Sequence, residues 1–264
     1  MDFSDFNVRG TMIRQMRKGQ GAPLVLLRGS DASDGWRDYM DILARDFDVI
    51  VPEHPGFAGR AKPEWLDSMA DMANFYLDYF DALNLAGAHL CGFDLGGWIA
   101  AEIAMRNPRR LASLSLCGAA GLLIDGAVPE DYFLASEDDW LKLCFSNPAV
   151  AEAEIARRLG PETEDMRLAN AVVIAQLAWS PRWHNPDLRK WAHRIALPTA
   201  VIWGAQDRVY PQVYAQAWHE LIASSRLIAI DGAGHCPEIE KPESFAASLN
   251  SFLKALPATE RAAA

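Results

Sequence analysis

The most constraining feature of the sequence is a turn, GFDLGG (92–97), that joins a strand directly to a helix. The apolar residues before it (88–91) are typical of a buried strand, and WIAAEIAMRN (98–107) has helical spacing. A turn of this kind strains the backbone of its middle residue and exposes that side chain above the sheet. Glycines two positions before and after the middle residue avoid steric collisions. The pattern therefore predicts that Asp94 occupies the position of a nucleophile.

Around this turn, apolar runs of strand length alternate with amphipathic stretches of helical spacing. This alternation predicts an α/β fold with a mostly parallel, doubly wound sheet covered by helices. The predicted strands are 23–29, 47–56, 88–97 with its turn, 111–121, 198–204 and 225–230. A short antiparallel hairpin is expected before Lys18, and further helices are expected at 66–85, 210–223 and 241–255.

The alternation stops between residues 121 and 193, where successive stretches have helical spacing without a strand between them. We therefore divide the chain into an α/β core, formed by 1–120 and 194–264, and a helical cap, formed by 121–193 and called the lid below. Because ligand sites are common where domains meet, we expect the lid to contribute pocket residues.

From about residue 20 to 255, the sequence resembles the α/β-hydrolase family, in particular members with a helical cap. PLVLLRG (23–29) is similar to the family's oxyanion-loop strand, and VIVPEHPGFAGRAKPE (49–64) to the loop after its next strand. WGAQDRVYP (203–211) is similar to the strand that presents the acid, and DGAGHCPEIEKPESF (231–245) to the loop that presents the histidine. The resemblance implies the α/β-hydrolase fold.

The resemblance also implies a catalytic triad of Asp94, Asp207 and His235, in the family's order of nucleophile, acid and histidine. Asp207 follows a strand, from which it could orient and charge-stabilise the imidazole of His235. The oxyanion hole needs two backbone N–H donors. The expected donors are Leu95, by its place after the nucleophile, and Ser30, in the loop after the first core strand.

A carboxylate nucleophile suits displacement of a leaving group from saturated carbon, because the product is a stable ester on the enzyme. Attack on an ester would instead give a reactive anhydride. His235 would then activate the water that cleaves the ester of Asp94. Within the family, aspartate at this position implies dehalogenases and epoxide hydrolases. We therefore predict a hydrolase that acts on a small, largely apolar halide or epoxide.

The lid contains side chains that suit either substrate, since aromatic N–H groups hold halides and a phenol can donate to an epoxide oxygen. The candidate pocket residues are Tyr132, Trp140, Trp183 and His184. Two other lid tryptophans, Trp179 and Trp191, are expected in the lid core. The remaining histidines, among them His54, are expected to be structural or solvent-facing.

Two features depart from the pattern of the family members with an aspartate nucleophile. The oxyanion loop reads RGSD (28–31) where those members have His-Gly. Arginine cannot form the neutral hydrogen bonds of that histidine, so one expectation is an ion pair between Arg28 and Asp31. Leu95 stands where haloalkane dehalogenases have a halide-binding tryptophan.

Two alternative functions stay open. The segments 96–104 and 178–195 look more like serine-type esterases and carbon–carbon bond hydrolases of the family. The chain would then be a scaffold of that type in which aspartate replaces the nucleophilic serine. The second alternative is a non-catalytic ligand-binding protein on the same fold, because fold alone does not define function.

Composition and charge restrict the partners. A net charge of −10 argues against nucleic acid, whose binding needs a basic surface. No apolar run approaches the length of a membrane helix, and no signal peptide is visible at the N-terminus. The four scattered cysteines fit reduced thiols, which favours a cytoplasmic location. The sequence contains no metal-binding pattern and predicts no cofactor, and the expected partner is a small-molecule substrate. A homodimer is expected only because dimers are common.

Overall fold

The computed structural model describes residues 3–30, 35–127, 129–158 and 161–256, with the backbone alone for 161–163. Eight strands form one sheet in the order β1-β2-β4-β3-β5-β6-β7-β8. The strands are β1 (Ser4–Val8), β2 (Thr11–Lys18), β3 (Ala22–Leu27), β4 (Phe47–Pro52), β5 (Ala88–Phe93), β6 (Leu111–Cys117), β7 (Thr199–Gly204) and β8 (Ser225–Ile230). The pairs β1–β2 and β2–β4 are antiparallel and the others are parallel, which confirms the predicted fold class.

Ten α-helices accompany the sheet in the described residues. They are α1 (Asp38–Leu43), α2 (Met69–Ala82), α3 (Leu95–Arg106), α4 (Glu137–Cys144), α5 (Pro148–Arg157), α6 (Pro161–Ala178), α7 (Pro186–Trp191), α8 (Gln212–Leu221), α9 (Pro237–Glu240) and α10 (Pro242–Lys254). Two short 3₁₀ helices cover Pro108–Arg110 and Ala192–Arg194. None of the helices in these ranges has both the length and the apolar character needed to cross a bilayer.

Both faces of the central strands are buried, as expected for a parallel sheet between helical layers. Val25 and Leu27 pack on the face covered by α2 and α3. Leu24 and Leu26 point to the opposite face, which α1 and α10 cover. All four side chains are fully buried because successive residues of a strand face opposite sides. Strands β3 to β8 run parallel to one another, so their carboxyl ends meet at one edge of the sheet, where the loops of the site begin.

The boundaries of some elements differ from the predicted ones. Strand β4 ends at Pro52 instead of continuing to residue 56, because proline cannot donate to the sheet ladder. Helix α1 was not predicted, since its six residues are too few to show a clear period.

Between β6 and β7, the described residues form helices α4 to α7, turns and two isolated bridges, Gly121–His184 and Ile124–Ala127. Helix α4 begins at Glu137, because Ser136 caps it by accepting from the Asp139 N–H. The expectation of lid-core positions for Trp179 and Trp191 is wrong, since these side chains are 55% and 43% exposed. Trp179 lies just beyond the end of α6, where the Arg182 guanidinium covers its ring at 4.3 Å.

Candidate active site

The turn between β5 and α3 holds Asp94 in an unusual backbone conformation, with φ 45° and ψ −116°. A positive φ is rare for a residue other than glycine and stores strain. The two glycines of the turn permit close backbone contacts. A Cβ added at Gly92 would lie 2.2 Å from the carbonyl oxygen of Gly96, and one added at Gly96 would lie 2.0 Å from that of Leu27. The packing thus explains why this strand–turn–helix needs glycine on both sides of Asp94.

The two carboxylate oxygens of Asp94 have different surroundings. The backbone N–H of Ser30 donates to Oδ2 at 3.1 Å. Oδ1 has no hydrogen-bond partner among the described residues and lies 3.8 Å from Nε2 of His235. Of the two expected oxyanion donors, only Ser30 is hydrogen-bonded to Asp94. The N–H of Leu95 belongs to the first turn of α3, where helix N–H groups have no partner within the helix.

Asp207 holds the imidazole of His235 from the other side. Its Oδ2 accepts from Nδ1 of His235 at 3.0 Å. Its Oδ1 accepts from the N–H groups of Val209 and Tyr210 at 2.8 and 2.9 Å, which fix the carboxylate itself. The structure therefore brings Asp94, His235 and Asp207 together in the order that the sequence predicts.

The charge state of His235 depends on these carboxylates. Burial disfavours the imidazolium, but the charge and hydrogen bond of Asp207 and the nearby Asp94 outweigh burial. The pKa of His235 is therefore raised well above its usual value. An ester on Asp94 would be uncharged, so its formation would lower the pKa of His235 and favour the neutral imidazole that a general base requires.

The oxyanion loop is braced by a histidine from a neighbouring strand end. Nε2 of His54 donates to the carbonyl oxygen of Arg28 at 2.9 Å, and Nδ1 accepts from the hydroxyl of Tyr76 at 2.6 Å. The neutral hydrogen bonds that Arg28 cannot form are thus supplied by His54, which is buried and structural. The expected partner of Arg28, Asp31, lies outside the described residues.

A cavity of about 410 Å³ lies between the lid and the ends of the strands. Gly29, Ser30, Asp94 and His235 line its catalytic end. Its remaining wall is largely apolar and aromatic and includes Phe93, Tyr132, Phe133, Trp140, Leu141 and Phe145. Charged side chains also line the cavity, namely Glu137, Arg158, Glu164 and Arg167.

The structure supports two of the four predicted pocket residues. Tyr132 and Trp140 line the cavity, and the Trp140 ring lies edge-on to His235 with a centroid distance of 6.5 Å. Trp183 and His184 are not part of its lining, so this prediction is wrong for them. Trp183 is stacked behind Tyr132, at a centroid distance of 5.0 Å, and His184 forms a bridge with Gly121.

Sequence reasoning missed Tyr210, which lies against the catalytic histidine. The rings of Tyr210 and His235 are 5.5 Å apart, and Tyr210 is fully buried. Burial raises the pKa of Tyr210, and the negative charge of Asp94 raises it further. A tyrosine three residues after Asp207 forms no distinctive motif, so the sequence contained no signal for this contact.

The described residues contain no group of three His, Cys, Asp or Glu side chains that could hold a metal ion. All four cysteines are free thiols.

Comparison with known proteins agrees with this fold. The model of the Alpha/beta hydrolase family matches residues 24–248, so the chain belongs to the α/β-hydrolase family. A 2-hydroxy-6-oxo-6-(2'-aminophenyl)hexa-2,4-dienoic acid hydrolase of Metapseudomonas resinovorans is 27% identical over 276 residues, which cover 98% of this chain and 93% of that protein. The family and such relatives support a hydrolytic function.

Two further similarities concern a curated relative and a solved structure. A 2-hydroxymuconate semialdehyde hydrolase of Pseudomonas sp. strain CF600 is 28% identical over 260 residues, covering 89% of this chain and 88% of that protein. The crystal structure of the CarC enzyme, a serine hydrolase involved in carbazole degradation, superposes with a TM-score of 0.76 at 24% identity. That match covers 96% of this chain and 98% of the other, and it shows the fold alone.

Proposed function

We propose that this protein is a hydrolase that uses Asp94 as a carboxylate nucleophile on a small, largely apolar halide or epoxide. The observation that supports this most directly is the asymmetry of the carboxylate. Oδ2 is held by the Ser30 N–H, while Oδ1 is unpaired among the described residues and lies beside His235 at the cavity. This asymmetry supports a role of the Ser30 N–H as an oxyanion-hole donor and of Oδ1 as the oxygen that attacks carbon.

The first half-reaction forms an ester. Oδ1 of Asp94 attacks a saturated carbon of the substrate, and the bond from that carbon to the leaving group breaks. The electron pair leaves with a halide ion, or with an epoxide oxygen that takes up a proton. Tyr132 and Trp140 line the cavity, with Trp140 edge-on to His235, and carry an O–H and an N–H that can interact with the departing group.

The second half-reaction returns the enzyme to its starting state. His235 removes a proton from water, and the resulting hydroxide attacks the carboxyl carbon of Asp94. The developing charge falls on the oxygen that the Ser30 N–H contacts, with the Leu95 N–H as the second donor. The ester bond then breaks, and the alcohol leaves with a proton from His235. Asp94 is left as a carboxylic acid, and release of its proton to solvent restores the carboxylate.

A second candidate function follows from the relatives. They include a dienoic acid hydrolase at 27% identity, and the fold matches a serine hydrolase. The chain would then be a scaffold for ester or carbon–carbon bond hydrolysis in which aspartate replaces serine. Such a protein would have little activity as it stands, because attack of a carboxylate on an acyl carbon gives an anhydride.

The test compares the native protein with Asp94→Asn, Asp94→Ser and His235→Gln. Its substrates are haloalkanes, haloacetates, aryl and alkyl epoxides and p-nitrophenyl esters. We expect halide or diol release by the native protein and none by Asp94→Asn. His235→Gln should accumulate a covalent adduct on Asp94, visible in the intact mass, since only ester hydrolysis needs the base.

Turnover in oxygen-18 water provides an independent check. Water attacks the carboxyl carbon of Asp94, so repeated turnover should place the label in the peptide that contains Asp94. Ester hydrolysis that appears only in Asp94→Ser would instead support the second candidate. Tight ligand binding without turnover by the native protein or any variant would indicate a binding protein.

A further inference from the structure

The backbone of the catalytic histidine is bonded to the lid. The His235 N–H donates to the carbonyl oxygen of Cys144 at 2.7 Å, and the Cys236 N–H approaches the same oxygen at 3.4 Å. Cys144 is the last residue of α4, within the lid. The loop that presents His235 is thus connected to the element that covers the cavity.

A second connection runs through the carboxylate of Glu240, five residues after His235. Its Oε2 accepts from the N–H groups of Gly234 at 2.7 Å and Ser146 at 3.1 Å. Its Oε1 accepts from the N–H of Asn147 at 2.6 Å and the hydroxyl of Ser146 at 2.7 Å. One carboxylate therefore joins the residue before His235 to the lid segment between α4 and α5, which we call the Glu240 clamp.

The chemistry of this contact requires a carboxylate. Both oxygens of Glu240 act only as acceptors, and four donors converge on them. The side chain is buried and forms no ion pair in the described part of the chain. Its charge is compensated by backbone N–H groups, including that of Asn147 at the N-cap of α5, where the helix dipole favours an anion. An amide in its place would direct N–H groups toward some of these donors.

The loop and the lid also approach each other too closely to separate independently. A Cβ added at Gly234 would lie 2.5 Å from the carbonyl oxygen of Cys144 and 2.9 Å from the nitrogen of Ser146. Backbone thus packs directly on backbone at this point. Movement of the lid segment has to break the Glu240 clamp or carry the histidine loop with it.

We infer that Glu240 is a positioning residue, which holds His235 beside Asp94 only while the lid is docked. Docking of the lid and placement of the catalytic base are then one event. The inference rests on the proposed function for the role of His235 as the base. Because that base acts only on the ester, loss of the Glu240 clamp should slow ester hydrolysis and leave ester formation largely unchanged.

The test uses Glu240→Gln and Ser146→Ala, with Ser136→Ala as the matched control. Ser146→Ala removes a lid hydroxyl from the clamp and leaves the bond between Glu240 and Gly234 in place. Ser136→Ala also removes a lid hydroxyl, but at the cap of α4, away from the histidine loop. Ser146→Ala keeps the test valid even if Glu240→Gln fails to fold.

Hydrogen exchange measured by mass spectrometry needs no substrate and so is independent of the proposed function. Both clamp variants should speed exchange jointly in 142–150 and 232–240, whereas Ser136→Ala should affect only the start of α4. Faster exchange in one of the two segments with no change in the other would overturn the inference, whatever reaction the protein catalyses.

Kinetics provide the second readout. A displacement of about 1 Å can cost on the order of 100-fold in rate, so Glu240→Gln should lower kcat about 10- to 100-fold. Because ester formation is unaffected, KM should fall with kcat, and kcat/KM should change little. The ester on Asp94 should accumulate during turnover, and Ser146→Ala should show the same effect more weakly. If Glu240→Gln speeds exchange in both segments together but leaves kcat unchanged, the contact does not position the base.

Discussion

The loops after β4 and β8 each bury a histidine at the same edge of the sheet, but they give the two imidazoles opposite charge properties. His54 contacts a phenol and a backbone carbonyl, and its pKa is lowered to about 4, mainly by burial. His235 is equally buried, but the carboxylate of Asp207 raises its pKa well above the usual value. The comparison shows that an acidic partner, and not burial, makes one histidine a candidate base and leaves the other a neutral brace.

The largest expected effect comes from removing that acidic partner. Asp207→Asn should lower the pKa of His235, because the main source of its elevation is lost. On any substrate found in the screen, activity should fall roughly 10⁴-fold, by analogy with other triads whose acid is replaced by an amide. A ¹H–¹⁵N titration of the imidazole and kcat measure the two effects.

The control for Asp207→Asn is Asp187→Asn, which neutralises an exposed carboxylate of α7 paired with Lys190. It should leave both the titration and the activity unchanged. If Asp207→Asn retained more than about a tenth of the activity, another carboxylate would have to be the acid of the site.

The next effect concerns stability in acid. The folded pKa of His54, about 4, lies below its usual value, so the unfolded chain takes up the proton first as the pH falls. The contribution of His54 to the free energy of unfolding is complete above the usual histidine pKa and is lost as the pH falls through the folded pKa. It corresponds to about 3 kcal/mol of unfolding free energy between pH 6.5 and 4. Urea unfolding at several pH values should show that His54→Gln lacks this part of the slope.

His235→Gln should change the pH dependence of stability in the opposite direction from His54→Gln. The contribution of His235 is fully present below the usual histidine pKa and is lost as the pH rises through its raised folded value. The stability difference between native protein and His235→Gln should therefore shrink toward alkaline pH. If the stability difference instead grew with pH, the pKa of His235 would not be raised in the folded protein.

The smallest effect tests the brace itself. Tyr76→Phe removes the hydroxyl that donates to Nδ1 of His54 and leaves the ring in place. Losing one partner of a buried hydrogen bond costs about 1–3 kcal/mol, so the free energy of unfolding should fall by roughly that amount. Activity should change little, since His54 still donates to Arg28. A large loss of activity would mean that the hydroxyl has a direct role in the oxyanion loop.

Much of the fold and part of the site could be predicted from local patterns. The turn around Asp94 was recognisable because its glycine spacing is required by contacts within one strand–turn–helix unit. Six of the eight strands corresponded to apolar runs, although their ends shifted where prolines and caps intervened. Asp207 and His235 were expected from the resemblance to the α/β-hydrolase family, and parallel strands deliver the loops that carry them to one edge of the sheet.

The lid was harder to predict because its helices can pack in several ways around the same apolar residues. Trp140 and Trp183 are both aromatic residues of the lid, yet only Trp140 lines the cavity, while Trp183 is stacked behind Tyr132. Which aromatic faces the substrate depends on helix orientation, and local periodicity carries no information about that. The brace from His54 and the Glu240 clamp were also missed, because each joins residues that are distant in sequence.

The sequence by itself therefore determined the class of fold and the strand–turn–helix that carries Asp94, because these depend on local periodicity and a tight turn. The tertiary structure decided what surrounds them. It gave Asp94 one bound and one open oxygen, gave His54 and His235 opposite charge environments, and joined the histidine loop to the lid through Glu240. These properties arise from contacts across long stretches of chain, where burial and the nearest charge decide the chemistry of a side chain.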